Sequence, residues 1–366
     1  MKELDTLIRE RNIPDALTLN SGRRVADIKD FEKRRGELRK ILSEEIYGYI
    51  PPIPDHVQVE LLDEDDIFCA GKAPLRTYEL KCSFGDKTES FKFYSVIPKN
   101  ATRLPAFVMI NFRDSVPDKY LPSEEIADRG YAVFSFCYND VTKDNGDFSD
   151  GFAALFSGRR RRKNSPGKIA MWAWAAMRIM DYIETLDCID CDNVAVIGHS
   201  RLGKTALLTG AFDERFKYVI SNDSGCSGAA ISRGKGGETV SRITEVFPYW
   251  FCPRYTDNAP DFEKLGYDQN FLLALSVPRH LMIGSAEEDL WADPVSEFLC
   301  LYETNRVYSL YGMKGLITPD SIPPAKCDLG KGDALYHLRH GKHYFSREDW
   351  ISYMDYIDSI LGRKQR

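Results

Sequence analysis

Two kinds of chemistry fit the segment 194–206, which reads Val-Ala-Val-Ile-Gly-His-Ser-Arg-Leu-Gly-Lys-Thr-Ala. Taken as G-x-x-x-x-G-K-T from Gly198, it matches the phosphate-binding loop of nucleotide hydrolases. Taken as G-x-S from Gly198, it matches the first half of a nucleophile elbow, in which Ser200 would stand on a sharp strand-to-helix turn. Both interpretations place an apolar strand before a helix, so the segment alone does not decide between them.

Residues far along the chain favour the nucleophile elbow. A serine becomes a nucleophile when an imidazole takes its proton and a carboxylate fixes that imidazole, and α/β-hydrolases carry these groups in the order Ser, acid, His. A carboxylate-rich loop follows the predicted strand 280–283, and a histidine-rich loop, 336–345, precedes the last predicted helix. The phosphate loop would lack an internal glycine and would follow several strands, although Asp223 could hold its magnesium ion. The nucleotide-binding interpretation therefore stays open, but as the weaker one.

The elements that must position these residues alternate between strand and helix from residue 106 onward. Apolar runs bounded by turn residues predict strands at 106–110, 131–136, 194–197, 218–221, 280–283 and 307–311. Helical patterns are predicted between them at 123–130, 168–186, 205–210, 294–303 and 347–361. Such alternation is typical of a parallel sheet covered by helices on both faces. Upstream, residues 25–50 predict an amphipathic helix, and three β-rich runs follow at 56–62, 76–83 and 90–97.

These patterns predict an α/β protein with the α/β-hydrolase fold. We expect a three-layer αβα sandwich around a mostly parallel sheet, with an N-terminal helical and β-hairpin extension. Residues 1–52 would form the helical extension and residues 53–366 the catalytic domain, within one structural domain overall.

Composition and charge limit the classes of binding partner and the cellular compartment that we expect for this protein. The chain has 366 residues, 43% hydrophobic and 28% charged, with a net charge of −6. A negative balance favours neither nucleic acid nor an anionic membrane as partner, and the basic run Arg159–Lys163 is interpreted as a solvated loop. No apolar segment has transmembrane length, and the charged N-terminus lacks the apolar centre of a signal peptide. We expect a cytoplasmic protein, or a secreted one if a leader has been removed.

The nine scattered cysteines indicate neither a disulfide framework nor a metal site.

One departure from a routine elbow points to a family. Leu202 stands two residues after Ser200, where a glycine is usual, and the glycine is displaced to Gly203. The run Gly-His-Ser-Arg-Leu-Gly-Lys resembles the G-C-S-R-x-G-K motif of glucuronoyl esterases, carbohydrate esterase family 15, with His199 at the cysteine position. The similarity continues, in order, through 223–230, 247–251, 273–279, 289–294 and 341–343.

The resemblance implies an activity and a substrate. Members of this family cleave esters that join 4-O-methyl-glucuronic acid of xylan to lignin alcohols. This chain is therefore expected to be a serine carboxylester hydrolase that acts through an acyl-enzyme on xylan-derived oligosaccharides, without a cofactor or metal.

The resemblance also implies roles for individual residues. Ser200 resembles the nucleophile and His343 the general base, while Arg201 is similar to the arginine that helps to hold the oxyanion. A backbone donor on the loop 111–114 is expected to assist Arg201. The positions that match sugar-contacting residues are Lys204, Trp291, Glu238 and, with a one-residue shift in the alignment, Glu245.

The catalytic acid has two possible places. Asp223 matches the position used by fungal members, which carry glutamate there. Glu288 and Asp289 lie on the later loop, where most α/β-hydrolases hold the acid. We expect the later loop to supply it, with Asp289 ahead of Glu288, and Asp223 to be a second acid or to stabilise a turn.

Three other functions are weighed against this one. An acetyl-xylan or other small-acyl carbohydrate esterase is favoured by Glu238, where the family carries glutamine, and by the missing secretion signal. A phosphate-loop nucleotide-binding protein is the distant alternative. A catalytically inactive relative is disfavoured because a nucleophile, a base and candidate acids are all present.

Overall fold

The centre of the fold is a ten-stranded sheet, seen in a computed structural model that describes residues 3–157 and 160–363. The order across the described sheet is β1-β2-β3-β5-β4-β6-β7-β8-β10-β9. The strands are β1 (His56–Asp65), β2 (Leu75–Phe84), β3 (Lys87–Val96), β4 (Leu104–Asn111), β5 (Ala132–Cys137), β6 (Ile189–His199), β7 (Tyr218–Asn222), β8 (His280–Ala286), β9 (Cys327–Leu329) and β10 (Ala334–Arg339). The six central strands, in the spatial order β5-β4-β6-β7-β8-β10, are parallel to one another. At one edge of the sheet, β3, β2 and β1 are added in antiparallel pairing next to β5. At the other edge, β9 pairs antiparallel with β10.

Helices connect the strands and cover the sheet. They are α1 (Glu3–Glu10), α2 (Ile28–Glu45), α3 (Ser123–Asp128), α4 (Tyr138–Val141), α5 (Gly151–Phe156), α6 (Lys168–Ile183), α7 (Arg201–Phe212), α8 (Val240–Val246), α9 (Pro253–Asn258), α10 (Asn270–Ala274), α11 (Pro294–Glu303), α12 (Asn305–Leu310) and α13 (Arg347–Ile360). Short 3₁₀ turns lie at Phe68–Gly71, Pro248–Trp250 and Ala259–Lys264.

Strand β6 shows that the sheet is buried on both faces. Val196 belongs to one hydrophobic cluster, together with Trp172 of α6, while the next residue, Ile197, belongs to a second cluster with Trp350 of α13. Successive side chains of a strand point to opposite faces, so each face of β6 has its own helical layer. The predicted α/β-hydrolase architecture, three layers around a mostly parallel sheet, is confirmed.

Helix caps fix the ends of the two loops that carry candidate catalytic residues. α11 begins at Pro294, and the preceding Asp293 accepts a hydrogen bond from the Ser296 N–H at 3.2 Å. α13 begins with a reciprocal capping box between Ser346 and Asp349. Because each cap satisfies the free N–H groups of a first turn, the loops before these helices end at fixed positions.

The N-terminal segment packs into the same core as the sheet. Leu4 of α1 and Phe31 of α2 are fully buried in the hydrophobic cluster that contains Val196. A domain boundary at residue 52 stays a prediction.

Two expectations about local structure are wrong. Residues 307–311 were expected to form a strand, but Asn305–Leu310 is helix α12, since no turn breaker separates it from α11 and Val307 and Tyr308 pack on one side. Residues 334–339, partly expected to be loop, form strand β10 beside β8. Its polar residues His337 and Arg339 hid the strand pattern, and they are buried because carboxylates pair with them.

Two features of the surface complete the description. No helix in the described ranges is long and apolar enough to cross a membrane. Of the basic run, Arg159 lies outside the described residues, and Arg160, Arg162 and Lys163 are exposed. Arg161 is different, because it donates to the Phe251 carbonyl at 2.7 Å and lies 4.0 Å from the Phe148 ring centroid.

Candidate active site

Ser200 stands on a strained turn between β6 and α7. Its backbone has φ 58° and ψ −127°, a conformation that L-residues rarely adopt. The Ser200 N–H donates to the Asn222 carbonyl of the neighbouring strand at 2.8 Å, which holds the turn against the sheet. This is the geometry of a nucleophile elbow, and it points the serine out of the carboxyl edge of the sheet.

Steric contacts explain why glycine occupies positions 198 and 203, on either side of Ser200 in the chain. A Cβ at Gly198 would lie 2.1 Å from the Leu202 carbonyl oxygen, because the turn folds back over that position. A Cβ at Gly203 would lie 2.9 Å from Ser221 Oγ and 3.1 Å from the Asn222 carbonyl oxygen. The glycine is therefore displaced to position 203 because that face of α7 packs against β7, while Leu202 is fully buried.

His343 lies in the same cleft as Ser200 and is oriented by Asp289. The His343 Nδ1–H donates to Asp289 Oδ2 at 2.6 Å. Burial alone would raise the pKa of Asp289, but the His343 hydrogen bond and the Ala292 N–H at 3.3 Å hold that pKa below its usual value. A charged Asp289 fixes the Nδ1–H tautomer, so His343 Nε2 keeps a lone pair with which to accept the serine proton.

The other two candidate acids contact different groups. Glu288 is exposed, and its backbone N–H donates to the Gly341 carbonyl at 2.9 Å. Asp223 is buried, and its carboxylate accepts from the Ala286 N–H at 2.7 Å and from Arg339 at 3.3 Å. Burial, together with nearby carboxylates, raises the pKa of Asp223 well above its usual value. The geometry thus gives the orienting contact to Asp289, and Asp223 links the carboxyl end of β7 to that of β8.

Arg201 is held over the cleft by a carboxylate and by aromatic faces. Its guanidinium makes an ion pair with Asp144 and lies 4.8 Å from the ring centroid of Trp250. Asp144 in turn accepts from Trp250 Nε1 at 2.6 Å and from the Tyr138 hydroxyl at 3.0 Å. Arg201 is also the first residue of α7, where a backbone N–H has no acceptor within the helix. Both its N–H and its side chain are thus available for an oxyanion formed at Ser200.

The loop 111–114, which is expected to supply a second oxyanion donor, has one of its N–H groups already bonded within the loop. The Phe112 N–H donates to the Asn111 side chain at 2.8 Å, and Phe112 instead contributes its ring, 5.7 Å from the Arg201 guanidinium. A donor from this loop stays a prediction.

The cleft beside Ser200 has a volume of about 350 Å³ and carries three of the four expected sugar contacts. Lys204 is buried, and its ammonium group donates to the Ser224 carbonyl. Burial lowers the pKa of Lys204, and the neighbouring Glu238 carboxylate opposes that shift. Trp291 is 55% exposed at the rim, so it is not the core aromatic that a lone tryptophan usually is.

Glu245, the fourth expected sugar contact, lies outside the cleft beside Ser200, and its contact with a sugar stays a prediction. Glu245 is exposed on α8, pairs with Arg242 one turn earlier at 2.8 Å, and does not line the cleft. The rotation of α8 turns this side chain into solvent, and spacing in the sequence cannot give that rotation.

Three side chains at the site are not predicted from the sequence: Asp144, Phe247 and Trp250. Asp144 comes from the segment after β5, and no local motif marks it. Trp250 and Phe247 stack face to face in the cleft wall, with ring centroids 3.9 Å apart. Their segment, 247–251, belongs to the family resemblance, which could have pointed to them.

One group of side chains could hold a metal ion. Potential ligand atoms of His199, Asp223 and His343 lie within 4.8 Å of one another. The Nδ1 atoms of the two histidines already face Asn222 and Asp289. Catalysis without a metal stays a prediction.

The sheet, the elbow and the Asp289–His343 pair together define a serine hydrolase with the α/β-hydrolase fold. A profile described as "Glucuronyl esterase, fungi" matches residues 80–312. The chain is 34% identical to carbohydrate esterase MZ0003 of an unknown prokaryotic organism, over 94% of this chain and 89% of that protein. It is 29% identical to the 4-O-methyl-glucuronoyl methylesterase of Thermothelomyces thermophilus, over 84% of this chain and 74% of that one.

A solved structure extends the similarity to three dimensions. The glucuronoyl esterase from Solibacter usitatus superposes with a TM-score of 0.88 at 31% identity, covering 95% of this chain and 97% of that one. The protein described here belongs to the glucuronoyl esterase family, carbohydrate esterase family 15, and is a carboxylic ester hydrolase. The resemblance found in the sequence is confirmed, and the phosphate-loop interpretation is set aside.

Proposed function

We propose that this enzyme cleaves esters of 4-O-methyl-glucuronic acid on xylan-derived oligosaccharides, through an acyl-enzyme at Ser200. The observation that carries the proposal is the cleft in which Ser200 and His343 share a wall with Lys204, Glu238 and Trp291. A strained serine with an oriented imidazole supplies ester chemistry. A half-exposed tryptophan beside a buried lysine and carboxylate suits a sugar, which presents C–H faces and hydroxyl groups.

The reaction follows from the positions of the groups. His343 Nε2 takes the Ser200 proton while Oγ attacks the ester carbonyl, and the oxyanion is stabilised by the Arg201 N–H and guanidinium. The tetrahedral intermediate collapses, the alcohol leaves with the proton from His343, and the sugar acid stays esterified to Ser200. Water then attacks the acyl-enzyme with His343 again as base, which releases the uronic acid and regenerates the serine.

The direct test compares acyl groups. Purified enzyme is given the methyl and benzyl esters of glucuronic acid and, separately, acetylated xylo-oligosaccharides, with Ser200→Ala as the inactive control. Hydrolysis of the glucuronate esters, and a glucuronoyl adduct on Ser200 in quenched samples by mass spectrometry, are expected. Activity on acetylated xylo-oligosaccharides alone would overturn the proposal in favour of a small-acyl esterase.

A further inference from the structure

The loop that carries His343 is bonded to one buried arginine. Arg339 is the last residue of β10, and its side chain is only 5% exposed. Its Nη1 group donates to the His340 carbonyl at 2.9 Å, and its Nη2 group donates to the carbonyls of Lys342, at 3.1 Å, and Tyr344. These three carbonyls lie on both sides of His343 in the chain. The backbone around the catalytic imidazole is therefore attached to a single guanidinium.

Gly341 allows the loop to follow this path. Its backbone has φ 99°, which favours glycine, and a Cβ there would lie 3.4 Å from Arg339 Nη1. The Gly341 carbonyl accepts from the Glu288 N–H at 2.9 Å, so the same turn is joined to the loop that carries Asp289. The turn thus closes around the guanidinium while it stays in register with the acid loop.

Two buried carboxylates hold the guanidinium from other elements. The Arg339 Nε–H donates to Asp349 in the first turn of α13 at 3.0 Å, and Nη2 donates to Asp223, which follows β7, at 3.3 Å. Neither carboxylate side chain has exposed surface. Asp349 is itself fixed by the capping box with Ser346, and Asp223 by the Ala286 N–H. A planar guanidinium with five donors suits such a set of partners, and a lysine ammonium does not.

The contacts of Asp223 are directed at Arg339 and the backbone. The His343 Nδ1–H donates to Asp289, whereas Asp223 accepts from Ala286 and Arg339. Burial raises the pKa of Asp223 well above its usual value, and Arg339 opposes that rise. An effect of Asp223 on the reaction therefore has a path through Arg339. A direct electrostatic effect is the alternative, because an oxygen of Asp223 lies within 4.8 Å of a ring nitrogen of His343.

We propose that Arg339 is a positioning residue for His343, and that Asp223 contributes to the reaction by holding Arg339 and not as a second acid on the imidazole. This inference rests on the proposed function, in which His343 is the base. Arg339 does not line the cleft beside Ser200, so its loss should change kcat and leave KM nearly unaltered. A displacement of about 1 Å in a catalytic group can lower the rate by about 100-fold.

The first test replaces the guanidinium and keeps its charge. Arg339→Lys retains a cation beside the two carboxylates, but one ammonium group cannot reach them and the three carbonyls together. With the methyl ester of glucuronic acid, kcat should fall by about 10- to 100-fold while KM stays within about twofold. In enzyme labelled with ¹⁵N-histidine, the His343 Nδ1–H signal should shift or broaden, because its alignment with Asp289 is lost.

The matched control is a second buried arginine that pairs with two carboxylates. Arg129 has a side chain that is 12% exposed, and it pairs with Asp355 and Asp358, both on α13. Its hydrogen bonds do not reach the His343 loop. Arg129→Lys should lower the thermal stability as Arg339→Lys does, but it should leave kcat and the His343 signal unchanged. The comparison separates a structural role from a positioning role.

A double-mutant cycle tests the path from Asp223. Asp223→Asn keeps the shape and removes the charge, and alone it should lower kcat by about three- to tenfold. In the Arg339→Lys background the same substitution should change kcat by less than about twofold, since residues that act through one another are not additive. If Asp223 acted directly on the imidazole, the two losses would multiply.

The outcomes are distinct. An Arg339→Lys enzyme that unfolds cooperatively and has the kcat and the His343 signal of the wild type would overturn the positioning role, and so would an equal loss of kcat in Arg129→Lys. Multiplying losses in the cycle would overturn the assignment of Asp223. If Arg339→Lys does not fold, Asp223→Asn, which keeps the guanidinium, decides: an unchanged kcat and His343 signal would overturn the proposal.

Failure of the proposed function gives a different result. A wild-type enzyme that hydrolyses only acetylated xylo-oligosaccharides would overturn the glucuronate substrate, and the same variants measured on the acetyl ester would then decide the role of Arg339. A His343→Ala enzyme with normal activity would overturn both, because there would be no catalytic imidazole to position.

Discussion

The ring of buried His199 lies 4.5 Å from the ring of His343, at an interplanar angle of 38°. Asn222 fixes the tautomer of His199, because its amide nitrogen donates to the Tyr353 hydroxyl and its oxygen is left to accept from His199 Nδ1 at 2.7 Å. Burial, with a smaller effect of His343, lowers the pKa of His199 to about 3. His199 is therefore a neutral imidazole against which the catalytic imidazole packs.

This contact makes His199 a positioning residue for His343. His199→Ala should lower kcat/KM by about tenfold, since a small displacement of a catalytic group is costly. His199→Phe keeps a ring at that position and should retain more activity, but it should lose about 1–3 kcal/mol of stability because Asn222 is left unpaired. Steady-state kinetics and thermal unfolding of both variants test this. Equal loss of activity in the two would mean that the hydrogen bond, and not the ring contact, is what matters.

The choice among three carboxylates gives a second prediction. Asp289→Asn should lower kcat by about 1,000- to 10,000-fold, as loss of the orienting acid does in serine hydrolases, because the amide no longer fixes the His343 tautomer. Glu288→Gln is the matched control on the same loop and should stay within about twofold of wild type. A large loss in Glu288→Gln, with Asp289→Asn near normal, would show that the loop rearranges in solution.

Asp144 is expected to act through Arg201. Asp144→Asn keeps the shape but removes the charge that holds the guanidinium, so kcat should fall by about 10- to 100-fold with little change in KM, the pattern of a lost oxyanion contact. Asp147→Asn, an exposed residue of the same segment, should be neutral. A rise in KM at unchanged kcat would instead assign Asp144 to substrate binding.

The position of the displaced glycine predicts a difference in stability. Gly203→Ala should destabilise the protein by about 1–3 kcal/mol, because the new methyl group meets Ser221 and the Asn222 backbone. Gly36→Ala, in the middle of α2 with nothing within 4 Å of the added atom, should stabilise it by about 0.5–1 kcal/mol. Chemical denaturation measures both. Similar effects of the two substitutions would contradict the packing account of the family motif.

His337 makes stability depend on pH. Burial would lower its pKa, but Asp328, at 2.6 Å, and Asp349, at 3.3 Å, raise the pKa of His337 to about 9. Since this pKa lies above the unfolded value near 6.5, the stabilisation is complete below pH 6.5 and is lost as the pH rises through 9. The loss should be about 3 kcal/mol between those limits. Unfolding curves from pH 6 to pH 10 should show it, and His337→Asn should flatten that dependence. A wild-type profile that is flat over this range would contradict the assignment.

Local rules determined much of this molecule from its sequence. The elbow was predictable because a strand, a tight turn and a helix must follow one another within a dozen residues. The order Ser200, acid, His343 was predictable because parallel strands carry their loops to one edge of the sheet. The cap at Asp293 and the capping box at Ser346 depend on neighbours in the chain. The displaced Gly203 is fixed by close packing of α7 on β7, and it therefore carried the family signature.

Only the tertiary structure decided which side chains meet. Glu288 and Asp289 are adjacent in the chain, and the path of one loop turns the first to solvent and the second to His343. Strand β10 was missed in part because its polar residues are balanced by Asp349, from the following helix. Asp144 pairs with Arg201, although the two residues are 57 positions apart in the chain. The rotation of α8 points Glu245 away from the cleft. Contacts of this kind depend on how elements pack in space, and no short-range pattern in the sequence records them.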